Sequence, residues 1–149
     1  MAWTEEADPQ TYAVIGAALA VRVELGPDFL EIGYAKALEL EFQERSIPYE
    51  REVPVPMIYR GKPLGVPFRV DFVCFGDIML EIKSIPRTGQ RERRQLIHYL
   101  KASGFERGLL LNFGDERLQI ERAVGPRRLA KLSPDSVFSP APQTEQPQT

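Results

Sequence analysis

The fold turns on residues 68–83, which read Phe-Arg-Val-Asp-Phe-Val-Cys-Phe-Gly-Asp-Ile-Met-Leu-Glu-Ile-Lys. Phe68 to Phe75 is a dense apolar run interrupted by Arg69 and Asp71, Gly76-Asp77 turns the chain, and Ile78 to Lys83 returns as a second strand. Asp71 sits among Val70, Phe72 and Val73, while Glu81 and Lys83, two apart, share one face of the return strand. Ionisable groups among such neighbours are costly unless something collects them. Two carboxylates can hold a hard divalent cation such as magnesium, and a lysine beside them can steer a water or stabilise charge on a phosphate. A buried Asp–Lys or Glu–Lys ion pair that only supports the fold explains the same residues. Spacing and burial alone leave both readings open.

The hairpin supplies a geometric condition. A two-residue turn at Gly76-Asp77 pairs Phe75 with Ile78 and sets Asp71 opposite Ile82, so that Asp71 and Glu81 face opposite sides of the sheet. A bulged three-residue loop, which Gly76 suits, is expected to set Asp71 opposite Lys83 and Val73 opposite Glu81, bringing the three together.

Upstream, Tyr12 to Leu25 reads as a helix stopped by Gly26-Pro27. A second helix is expected from Asp28, whose side chain caps it with Glu31 completing a capping box, to about Arg45. Leu30, Tyr34, Leu38 and Phe42 form its apolar stripe. Glu52 to Tyr59 alternates as a strand that Pro54 and Pro56 assign to an edge, and Arg60-Gly61-Lys62-Pro63 is a turn. Downstream, Gln90 to Ser103 is a helix stopped by Gly104, Gly108 to Phe113 is a strand buried on both faces, and Leu118 to Val124 is a last short strand. The fold class is therefore α/β: a mixed sheet with an antiparallel meander plus a strand–helix–strand crossover, flanked by helices. Residues 1–11 are expected to fray, 12–132 to form one domain, and the Pro/Ser/Gln-rich stretch 133–149 to be disordered.

Composition narrows the function classes. With 149 residues, 43% of them apolar and 27% charged, the chain suits one globular domain. A single cysteine, Cys74, excludes a disulfide framework, a multi-cysteine zinc site and a cysteine-held iron–sulfur cluster. No apolar run is long enough to span a membrane, and the acidic start is no signal peptide, so the expected location is cytoplasmic. The net charge of −2 hides a basic stretch. Lys83, Arg87, Arg91, Arg93, Arg94, Lys101 and Arg107 face only Glu92 and Glu106, which makes a phosphate-facing patch or a solvated face. Gln95 and Tyr99, four apart, present polar groups on one side of the same helix. Glu31, in a first turn, either caps its helix or points at the carboxylate site. His98 reads as surface and Cys74 as core. Trp3 either packs an end or sits in the frayed start.

These residues, taken in order, resemble the GxxExxY family of the PD-(D/E)XK nuclease superfamily. The resemblance rests on VIGAALAVRVELGPDFLEIGYAKALELEF, Asp71, Glu81-Ile82-Lys83, Gln95-Leu96-Ile97-His98-Tyr99-Leu100 and GLLLNFG, and covers roughly Tyr12 to Arg122. The name motif falls on Asp28, Glu31 and Tyr34, with Asp28 in place of its first glycine, and Glu92 stands about where relatives often have a histidine. It implies a restriction-endonuclease-like core and magnesium-dependent phosphodiester cleavage of nucleic acid, DNA ahead of RNA, with manganese as a substitute ion. It also implies roles: Asp71, Glu81 and the Ile82 carbonyl as metal ligands, Glu31 through water, Lys83 on the attacking water, and Gln95 and Tyr99 in support. Arg87, Arg91, Arg93, Arg94 and Lys101 would contact nucleic acid. A homodimer or larger complex is compatible. The alternative is a catalytically silent module of the same fold, acting as a nucleic-acid-binding or accessory subunit.

Overall fold

A computed structural model describes residues 5–125 and 138–140. The first helix, α1 (Pro9–Leu25), starts earlier than the sequence pattern suggests. Asp8 caps it by accepting from the Thr11 N–H, and the same carboxylate is held by Arg107 and Arg122. This corrects the expected fraying up to residue 11: Pro9 occupies a first-turn position where no N–H is needed, and the ion pairs tie the start to the sheet. Residues 1–4, Trp3 among them, lie outside the described residues.

Helix α2 (Glu31–Glu44) begins three residues later than expected, and the capping box does not form. Asp28 has φ 77° and Leu30 holds the N-cap position without a side-chain bond. Tyr34, Ala35, Leu38 and Phe42 are its buried face, whereas Leu30 is 78% exposed.

Among the described residues the strands are β1 (Tyr49–Tyr59), β2 (Lys62–Cys74), β3 (Ile78–Lys83), β4 (Arg107–Asn112), β5 (Gln119–Val124) and β6 (Phe138–Pro140), in that order across one sheet. Only β3 and β4 pair in parallel, bridged by helix α3 (Gln90–Ser103), so the expected mixed α/β architecture is the observed one. Gly104 ends α3 in the left-handed conformation that glycine adopts without strain. Backbone residues Phe138–Pro140, within the stretch 133–149 expected to be disordered, pair with β5. Residues 126–137 and 141–149 lie outside the described residues.

Strand alternation divides the core. Phe72, Ile78, Leu80, Ile82, Leu109 and Leu111 pack under α1 and α2, while Val73, Met79 and Leu110 pack with Leu96 and Leu100 of α3. Cys74 is buried and His98 is exposed, as expected. Among the described residues no helix is long and apolar enough to cross a membrane.

Candidate active site

The β2–β3 connection is a three-residue loop, Phe75-Gly76-Asp77, with Phe75 and Gly76 at φ 54° and 71°. Its length is the expected one, but the register differs. Cys74 pairs with Ile78, Val73 with Met79 and Phe72 with Leu80, a register that runs toward Asp71 and Glu81 rather than toward Asp71 and Lys83. The extra residue displaces the pairing toward the loop rather than away from it, and within the paired stretch Val73 and Met79 share the α3 face.

The ladder stops beyond Phe72–Leu80, where the two strands part. Val70 and Val73, three apart, both pack on the α3 side, so the alternation breaks beside Asp71, opposite Glu52 at φ 51°. In the gap, the Asp71 Oδ2 accepts the Ile82 N–H at 2.7 Å, replacing the missing strand partner. Lys83 points its carbonyl toward β4, where the Phe113 N–H donates to it. Ile82, one residue earlier, therefore turns its N–H and carbonyl the other way, into the gap.

Glu81 is 6% exposed and its Oε1 has no hydrogen-bond partner. Burial, with the Asp71 charge second, pushes its carboxyl up to about 8, against the pull of Lys83 and of the Asp71 N–H. Asp71 is raised too, by burial first and then by Glu31, against the Ile82 N–H, Lys83 and Arg51. Glu31, freed from the capping box, lines a cleft of about 500 Å³ together with Leu30, Ala35, Arg51, Asp71 and Ile82. Three carboxyl groups thus act on one another around a gap in the sheet.

No three His, Cys, Asp or Glu side chains among the described residues form a group able to hold a metal ion unaided. The fit to a divalent cation rests instead on a smaller set: Asp71, the partnerless Oε1 of Glu81 and the Ile82 carbonyl. The set is oxygen-only, and its Glu81 carboxyl, raised by burial first and then by the Asp71 charge, would gain a counter-charge from a divalent cation. Glu31 lines the same cleft as Asp71 and Ile82, and its charge raises the Asp71 and Glu81 carboxyls.

Lys83 is in none of the ion pairs within 4.0 Å among the described residues, which join Glu39 to Lys36 and Arg51, Glu41 to Arg45, Glu121 to Arg93, and Asp8 and Asp77 to Arg107 or Arg122. The supporting Asp–Lys or Glu–Lys pair is therefore not formed. On the α3 side of the gap, Gln95 Nε2 donates to the Tyr99 hydroxyl at 2.8 Å, and Tyr99 stacks on Phe68. Burial raises the phenol's pKa, and the charges of Glu81 and Asp71 add to it.

The basic patch is smaller than its composition suggests. Arg93 makes a two-pronged pair with Glu121, and Arg107 is shared by Asp8 and Asp77. Arg87, Arg91, Arg94 and Lys101 remain exposed, the last three spaced along one outer face of α3.

Sequence reasoning placed Tyr34 in the name motif without giving it a role, and missed Arg51 and Glu52. Tyr34 reads as one member of an apolar stripe, yet its buried hydroxyl donates to the Gly26 carbonyl at 2.6 Å while its ring stacks on Phe113. It fixes the α1–α2 connection one turn from Glu31. A tyrosine in an apolar stripe was the available signal, because a buried phenol needs a partner. Arg51 and Glu52 reach the cleft only through strand pairing, which has no local signature.

No curated protein matches the chain. Among solved structures, the crystal structure of SSO0001 superposes with a TM-score of 0.50 at 21% identity, over 69% of this chain. This chain spans about half, 51%, of that protein, and at such identity the likeness concerns the fold alone. The model of the PD-(D/E)XK nuclease superfamily matches residues 8–123, which contain both parted strands, α3 and the carboxyl cluster. The chain belongs to the PD-(D/E)XK nuclease superfamily.

Proposed function

We propose that the chain is a magnesium-dependent nuclease that cleaves phosphodiester bonds, with DNA as the preferred substrate. The observation that carries this reading is the buried Glu81 carboxyl beside Asp71, whose Oε1 has no partner, with Lys83 near enough to act on both carboxyls and in an ion pair with neither. A fold that kept these groups only for support would pair them, because a stranded buried carboxylate destabilises.

Asp71, Glu81 and the Ile82 carbonyl would hold the ion, with Glu31 reached through water; manganese would serve the same oxygen set. Bound magnesium supplies concentrated positive charge that acidifies water and polarises phosphoryl oxygens. Lys83 orients the attacking water and stabilises the charge that grows on the phosphate. Gln95 fixes the Tyr99 hydroxyl, which supports Lys83 or meets a backbone phosphate. Arg87, Arg91, Arg94 and Lys101 hold the polymer through its phosphates, whereas Arg93, committed to Glu121, contributes less.

The GxxExxY branch suits the chain for a physical reason. Asp28 stands at the motif's first glycine with φ 77°, a conformation native to glycine and tolerated by aspartate, and Tyr34 braces the turn that presents Glu31.

Lys83→Ala tests the reading. Magnesium affinity and melting temperature should stay near wild type, while cleavage falls about a hundredfold or more, the scale for losing one preorganised donor. A variant that melts far lower, from a parent that never cleaves, would mean a silent module of the same fold.

A further inference from the structure

The β1–β2 hairpin outruns the domain that bears it. Val53, Val55, Phe68 and Val70 pack on α3, but residues 56–67 are exposed without interruption. Met57, Ile58, Tyr59, Leu64 and Val66 are each 42–60% exposed there, an uncommon density of large apolar groups on a free ribbon. The tip is a two-residue turn, Arg60-Gly61, with both φ angles positive at 48° and 76°, so it follows the strand twist. Leu64, Gly65 and Val66 oppose Met57 alone, and that bulge bends the ribbon midway.

We infer that this arm is a DNA-docking element whose basic tip contacts duplex phosphates while its apolar side chains lie in the major groove. The inference rests on the reading of the carboxylate cleft as a nuclease site. Charge argues for the occupant: residues 53–70 contain Arg60, Lys62 and Arg69 and no acid, in a chain of net charge −2. Position argues for it too. The arm continues the strand that carries Asp71, and Arg51 and Glu52 at its base line the cleft. From Asp71 to Lys62 it extends up to roughly 30 Å at about 3.3 Å per residue, far enough to follow a duplex away from the cleft. A two-stranded ribbon also fits the roughly 12 Å width of the B-DNA major groove. A second copy is the poorer occupant, because Pro54, Pro56, Pro63 and Pro67 strip the arm of N–H donors that strand addition would need.

The test reads binding without metal. In an Asp71→Asn background, anisotropy of a labelled duplex of about 20 base pairs is compared with and without Arg60→Glu/Lys62→Glu. The charge reversal should weaken binding about tenfold or more and lower the salt slope by about two, with an unchanged melting temperature. Leu64→Ser/Val66→Ser should weaken binding while leaving the slope alone. Unchanged affinity in either variant, or a parent that does not bind duplex, overturns the inference. So does a charge-reversed protein that changes from dimer to monomer in sedimentation while holding duplex as before. A protein that binds through the arm yet never cleaves, before the Asp71 change, contradicts the nuclease reading alone. One that cleaves while its arm variants bind as wild type contradicts only the arm.

Discussion

Glu81→Gln should stabilise the metal-free protein at neutral and alkaline pH, against the usual expectation for a change in a tightly packed strand. The carboxyl has a raised pKa in the folded state, about 8 against an ordinary 4.5. The folded state therefore holds its proton more firmly than the unfolded state does. The stability associated with that proton is fully present below the unfolded value and is lost as pH rises through about 8. Linkage puts the loss at roughly 3 kcal/mol at pH 7 and roughly 5 kcal/mol at pH 9, against under about 1 kcal/mol at pH 5. Glutamine keeps the shape and removes the ionisation, but sets an amide where Oε1 has no partner, at a cost of about 1–2 kcal/mol. The two effects cross. The variant should be slightly less stable than wild type near pH 5, and about 3 kcal/mol more stable at pH 9, or roughly 5–10 °C in melting temperature for a chain of this size. Thermal unfolding in a chelator across this pH range reads the crossing. Added magnesium should raise the wild-type melting temperature at pH 9 and leave the variant unmoved. A variant that melts lower at every pH, with no crossing, would show that the carboxylate is held ionised by a partner and would refute the account of its burial.

Asp8→Ala should cost about 3 kcal/mol in urea unfolding, because it takes a carboxylate partner from both Arg107 and the nearly buried Arg122 and removes the cap on α1. Burial opposes ionisation of Asp8, but the Arg122 and Thr11 bonds and the Arg107 charge outweigh it and lower its pKa, so its stabilisation is lost as pH falls through the folded value. Gly114→Ala should also destabilise, by at least about 1 kcal/mol, since a Cβ there would meet the Ile85 backbone at 2.5 Å. The Asn112 side chain clasps that same segment, so cleavage should fall more than melting temperature does.

The pattern of what was legible follows from where the information lies. The bounds of β3 and α3 could be read directly, because an apolar run or amphipathic helix closed by glycine or charge leaves little choice. The start of α2 could not. Asp28-Phe29-Leu30-Glu31 has the spacing of a capping box, but the chain takes Asp28 into a positive φ to let Tyr34 reach the Gly26 carbonyl. That competition is tertiary, and its consequence is that Glu31 is free to line the cleft. The three-residue hairpin loop was recoverable from Gly76, while the direction of the register shift was not, since loop length alone allows either. The start of β2 at Lys62 could not be read either: Arg60-Gly61-Lys62-Pro63 reads as a turn and the strand only from Phe68, because Pro63, Gly65 and Pro67 erase the alternation that marks a strand. Summed charge misjudged Arg93 and Arg107, whose partners lie 28 and 99 positions away. As candidates, Asp71, Glu81 and Lys83 were visible as carboxylates and a lysine inside strands, a local anomaly that needs no tertiary knowledge to notice.

The central claim is that Asp71 and Glu81 together hold the ion on which phosphodiester cleavage depends. Cleavage of supercoiled plasmid, linear duplex and single-stranded DNA by purified wild-type protein and Asp71→Asn, titrated with magnesium from a chelated start, tests it most directly. The account predicts cleavage by wild type that saturates with magnesium and is absent in chelator, and none by a variant whose melting temperature matches or exceeds wild type. Cleavage that survives Asp71→Asn, or a folded wild type inert on all three substrates at every magnesium concentration, would contradict it.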